Sequence, residues 1–179
     1  QLHEVIRLSG MNLIIDDTDH PLIIKVATLQ PSRMQVYFIY NEDYFAHNLT
    51  KELETVSSPG DNDERIIFYA RGVIETVRKL RWVPDVIHCQ GWMSAAVPLY
   101  VKTAYSDEPS FSETKVVTSL FTRSLNIDLG QKFKQCLAFR DAKPELLANY
   151  SDHFDFEELG KLAIDYSDGV IQADAKVND

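Results

Sequence analysis

The stretch PDVIHCQGWMSAAVPLY, residues 84–100, decides the fold class of this chain. Its first half, Asp85 to His88, reads as a buried strand, and Trp92, Ala95, Ala96 and Leu99 then recur at helical spacing. A strand that passes within a few residues into a helix is the building unit of a parallel α/β sheet. Pro98 is tolerated early in such a helix and kinks it if it lies deeper. At the junction stand His88, Cys89, Gln90 and Gly91. Ligands of open parallel sheets bind beyond the carboxyl ends of the strands, and Gly91 lets the backbone turn tightly or come close to a ligand. Taken alone, the same residues read equally as a capped strand, a solvated loop and an ordinary core tryptophan, an arrangement common in such folds.

Working outward, a helix is expected from about residue 62 to 80. Asp61 or Asn62 caps it, Glu64 adds negative charge to its first turn, and Ile66, Ala70, Val73, Val77 and Leu80 form an apolar stripe. Downstream, KVVTSLF (115–121) is a β-branched strand, 156–166 a helix opened by an Asp155/Glu158 capping pair, and 169–172 a closing strand. Between them, 122–154 carries only weak helical patches near 129–137 and 143–149. Upstream, 12–15, 22–29 and 34–40 read as a meander of three antiparallel strands around the turn-rich DDTDHP. From residue 62 onward helix and strand alternate, which implies a Rossmann-like α/β domain: a mainly parallel sheet flanked by helices, with a short antiparallel meander at the start.

The 179 residues suit one domain, 1–179, with 45% hydrophobic and 25% charged residues. A net charge of −9 argues against duplex nucleic acid as a partner. No apolar run is long enough to span a bilayer. Two cysteines, Cys89 and Cys136, make no disulfide framework, so a cytoplasmic setting is expected. Asp16, Asp17, Asp19 and His20 cluster, but without calcium-loop spacing, and the five histidines lack metal-ligand spacing; no metal is expected.

Three motifs carry a resemblance. PDVIHCQGWMSAAVPLYVK is similar to the strand-turn-helix of bacterial glycogen synthases and plant starch synthases, through Pro84, Asp85, Val86, His88, Trp92, Pro98 and Tyr100. VYFIYNEDYF followed by DNDERIIFYARGVIE resembles that family's strand, aromatic loop and helix start, through Asp61, Asn62 and Arg65. LGKLAIDYSDGVIQADAKV resembles its later helix and strand entry, through Lys161, Tyr166 and Asp168. The resemblance implies the N-terminal half of a GT-B fold. It also implies glucose transfer from a nucleotide sugar, ADP-glucose rather than UDP-glucose, to glycogen or another α-1,4-glucan. The transfer retains configuration and uses no metal or cofactor, the nucleotide sugar being a co-substrate. His88, Gln90, Gly91, Asp61 and Asn62 are the implied substrate-binding residues, with no catalytic residue assigned.

The departures are as informative. Gln90 replaces a family histidine, Gly91 an aspartate and Met93 a second histidine, while Leu120-Phe121 replaces a His-Asn pair. A glutamine exchanges hydrogen bonds with a sugar hydroxyl but carries no charge. The family's Lys-x-Gly-Gly-Leu loop and its C-terminal nucleotide-binding domain are expected outside this stretch, so the chain by itself is expected to be inactive. An exposed sheet edge in the meander is expected to invite pairing with a second copy. Two other readings stay open: a diverged, non-catalytic glucan-binding or regulatory module of the same fold, and an unrelated Rossmann-like domain.

Overall fold

The computed structural model describes residues 3–45, 61–120 and 127–175. The chain opens with the antiparallel meander β1 (Val5–Ile15), β2 (Thr18–Leu29) and β3 (Met34–Tyr40), with β2 central. Its first turn is tighter than DDTDHP suggests. Asp16 and Asp17 make it, with φ of 49 and 61, as a two-residue hairpin turn with both central residues left-handed requires. His20 and Pro21 consequently lie within β2. β1 also starts well before the expected Asn12. Gly10, at φ 77, sits where the pairing with β2 shifts register between Leu8 and Met11, and a glycine bulge breaks the alternation without ending the strand.

The short helix α1 (Glu42–Phe45) precedes α2 (Asn62–Lys79). Besides Ile66 and Ala70, α2 buries Ile67, Phe68, Arg71, Gly72 and Ile74, well beyond a single stripe. Position explains this: α2 packs against β1 and β3, and also against a 3-10 turn at Trp92–Ser94, α3 (Val97–Lys102) and α4 (Phe133–Leu137). It is the spine between the meander and the rest of the molecule. The approach is close at Gly72, where a Cβ would stand 2.9 Å from Ile39 Cγ2 and 3.2 Å from Leu22 Cδ1.

β4 (Val86–Gln90), β5 (Lys115–Leu120) and β6 (Gly169–Gln172) form a parallel sheet in that order, confirming the expected fold class. The meander is not hydrogen-bonded into this sheet; it flanks it across α2. The single helix expected from the spacing of Trp92, Ala95, Ala96 and Leu99 is split into the 3-10 turn and the six-residue α3. Pro98 is the reason: it has no N–H to bond back to Ser94, so the helix restarts with proline in its first turn. Trp92, expected in the core, is only half-buried at the core's margin.

α5 (Phe156–Asp165) closes over β5, buried through Leu159, Leu162 and Ala163. Half of its expected capping box forms. Asp155 Oδ1 accepts from Glu158 N at 2.9 Å, but the Glu158 carboxylate accepts from Ser151 N at 3.0 Å and so does not reach back to Asp155. On the sheet face toward α5, Cys89, Val116 and Thr118 are buried, and Thr118 bonds Ser167 at the end of that helix. On the opposite face Val86, His88 and Gln90 are exposed, which the alternation with Ile87 and Cys89 already records.

Candidate functional site

The carboxyl end of β4 gathers the first group of candidate residues. β4 and β5 run parallel with Gln90 opposite Ser119 and His88 opposite Val117, so His88, Gln90 and Ser119 share the exposed face of the sheet. His88 Nε2 lies 2.6 Å from Ser119 Oγ, and its Nδ1 faces Gln90 Nε2 at 3.4 Å. Ser119 is buried, while His88 and Gln90 are open to solvent.

Gly91 then turns the chain. Its φ of 78 lies in the left-handed region, yet a Cβ there would meet nothing within 4 Å. The glycine therefore serves the sharp turn and not a close approach of neighbouring atoms. Ser94 ties the turn down, its hydroxyl donating to the carbonyls of Gln90 at 3.1 Å and Gly91 at 2.8 Å. Beneath the site, burial pushes the Cys89 thiol up to about 11, with a hydrogen bond to Ser94 opposing the rise. Cys89 is thus a neutral packing group at neutral pH.

Asp61 and Asn62 belong to a second group, at the start of α2. Asp61 is the N-cap residue but makes no side-chain cap bond; its carboxylate faces the buried Arg65 at 3.3 Å. Asn62 is buried. Close by, Tyr44 donates to Glu64 Oε2 at 2.6 Å and its oxygen lies 2.9 Å from His20 Nε2, which clamps α1 and β2 to the first turn of α2. Burial first, and then the Glu64 carboxylate, push the Tyr44 hydroxyl well above its ordinary value. Asp63 is also raised, chiefly by burial.

Asp168 stands at the other end of the sheet. Its carboxylate pairs with Lys102 at 2.6 Å and accepts from Val116 N at 2.8 Å, joining α3, β5 and the entry to β6. That is an architectural role. Lys161 is exposed, its ammonium 5.3 Å from the centre of the Tyr150 ring. Phe121, half of the Leu120-Phe121 replacement, lies outside the described residues; Leu120 ends β5 half-buried.

Sequence reasoning missed Ser119. The signal was present in the period-two alternation of β5, which puts Ser119 on the face of His88 and Gln90 once the strands are taken as parallel and in register. Of the Asp16, Asp17, Asp19 and His20 cluster, the first two make the hairpin turn and the other two lie in β2, and among the described residues no group of three or more His, Cys, Asp or Glu side chains is placed to hold a metal ion.

The chain is 39% identical over 121 residues to a glycogen synthase of Chlorobium limicola, covering 67% of this chain and 25% of that protein. It is 31% identical over 169 residues to a glycogen synthase of Chlorobaculum parvum, covering 94% of this chain and 34% of the relative. The chain thus spans about a quarter to a third of the length of these relatives. Among solved structures, the catalytic domain of starch synthase IV from Arabidopsis thaliana, bound to ADP and acarbose, superposes with a TM-score of 0.69 at 15% identity, over 93% of this chain and 33% of that one. That likeness is one of fold. The family model for the starch synthase catalytic domain matches residues 1–177, and with it the three motifs find their place: the chain belongs to the starch synthase catalytic domain family.

Proposed function

We propose that this chain is part of the acceptor-side domain of a retaining glycosyltransferase. The enzyme moves glucose from a nucleotide sugar, ADP-glucose in preference to UDP-glucose, onto glycogen or another α-1,4-glucan. The observation that carries the reading is the polar cluster at the carboxyl end of the parallel sheet, in a chain that matches the family along nearly its whole length. The exposed Gln90 amide has both a donor and an acceptor to offer a sugar hydroxyl. His88 lies behind it, Gly91 sets the turn, and Asp61 and Asn62 line the start of α2. A starch synthase of the same fold, bound to ADP and acarbose, supports a nucleotide and a glucan-like sugar as ligands.

The donor-binding domain lies elsewhere in the protein, in keeping with the share of its relatives that this chain spans. Residues 1–179 alone are therefore inactive, because a cleft site needs both walls. The enzyme works in the cytoplasm; no helix among the described residues is long and apolar enough to cross a membrane. It pairs with a second copy through the edge of β1, where Val5 and Ile6 are 62% and 65% exposed. A strictly monomeric mass by light scattering at high concentration would contradict the pairing. The activity is tested by following labelled glucose from ADP-glucose and from UDP-glucose into glycogen with the full-length protein. Transfer supports the reading; a folded protein that transfers from neither donor would favour the non-catalytic glucan-binding module.

A further inference from the structure

We propose that Ser119 is a positioning residue that holds the His88 ring, so that Gln90, and not His88, is the side chain that meets the ligand. The inference rests on the sugar-site reading above for the ligand, but the geometry stands without it. An imidazole has two nitrogens, and here both are engaged by the protein. Nε2 is 2.6 Å from Ser119 Oγ on the neighbouring strand, and Nδ1 faces the Gln90 amide at 3.4 Å, a long hydrogen bond.

With the amide nitrogen of Gln90 directed at Nδ1, that ring nitrogen accepts. The ring proton then sits on Nε2 and is donated to Ser119 Oγ. No ring nitrogen is left for a ligand. Gln90 keeps its carbonyl oxygen and second N–H, and its side chain is exposed at the sheet end, a donor and an acceptor side by side. That pairing suits adjacent hydroxyls of a hexose, each of which both donates and accepts. Ser119 is suited to anchor the chain of bonds because it is itself only 7% exposed, held in the central strand of the parallel sheet.

The test uses the full-length protein with ¹⁵N-labelled histidine, the His88 signals being identified by their loss in His88→Gln. At neutral pH the wild-type ring is expected as one fixed tautomer protonated at Nε2; a freely exchanging mixture of tautomers would overturn the proposal. Ser119→Ala is expected to release the ring into such a mixture and to lower kcat/KM for the nucleotide sugar about 5-fold, the loss of roughly one hydrogen bond. Ser119→Thr, which keeps the hydroxyl, is expected to restore both. Ser119→Ala with unchanged ring signals, or Ser119→Thr as impaired as Ser119→Ala, would refute the positioning role. If Ser119→Ala does not fold, the wild-type tautomer decides. If the wild-type protein transfers no glucose, the functional reading fails while the ring signals still decide the role of Ser119.

Discussion

Gly72→Ala sets two effects of opposite sign against each other. In an open helix interior, alanine for glycine is favourable by about 1 kcal/mol, through backbone entropy. Here the new methyl would lie 2.9 Å from Ile39 Cγ2 and 3.2 Å from Leu22 Cδ1, well inside normal van der Waals separation. Ile39 is β-branched, so Cγ2 cannot swing aside without leaving its rotamer, and Leu22 is fully buried in the central strand of the meander. Overpacking of this kind costs about 1–3 kcal/mol. Set against the propensity gain, the clash leaves the variant destabilised by about 0–2 kcal/mol, a fall in Tm of up to about 6 °C for a chain of this size. Urea or thermal unfolding reads the difference. Ile39→Leu, which moves the branch away from Cβ, should remove part of the penalty, so the double mutant should lose less than the sum of the singles. A Gly72→Ala protein more stable than wild type would show that α2 does not press on the meander as described, and that the glycine is there for another reason.

Asp168 links stability to pH. Lys102 first, and then the Val116 N–H, hold its carboxyl below its ordinary 3.8. A depressed folded value gives stability that is complete above that ordinary value and is lost as pH falls through the lower folded one. Asp168→Asn should therefore be less stable than wild type at neutral pH, with the gap closing below about pH 4 in thermal unfolding; a gap independent of pH would show that the charge is irrelevant. Trp92→Ala should destabilise by about 2 kcal/mol, below the 3–5 typical of a fully enclosed tryptophan, because the ring is half-buried. A loss at the top of that range would mean the indole is more enclosed than the structure has it.

Local chemistry explains which parts of the fold were legible. The apolar pattern of 62–80 and the β-branched run at 115–120 each point to one structure, and both form close to the expected limits. The start of β1 was hidden because Gly10 looks like a strand end, when pairing to β2 carries the chain through the bulge. The break between the 3-10 turn and α3 was half-visible in Pro98, whose missing N–H is a local property, whereas the exact restart depends on how α3 docks against α2. At the site, His88, Gln90 and Gly91 were legible because they are contiguous on one strand end. Ser119 lies on another strand, and only parallel register brings its hydroxyl to His88. Asp61 reads as a helix cap by residue type, yet its carboxylate turns to the buried Arg65, a preference set by packing around α2 that the local sequence does not carry.

Gln90→Ala in the full-length protein tests the central claim most directly, by steady-state kinetics with ADP-glucose and glycogen alongside thermal unfolding. Gln90 is exposed, so stability should change by less than about 0.5 kcal/mol. Transfer should fall by roughly 10²-fold if the amide makes a hydrogen bond that strengthens in the transition state. Unchanged kinetics in a protein of unchanged stability would contradict the account: the end of β4 would then be a turn that the family's fold requires, and glucose would be handled elsewhere.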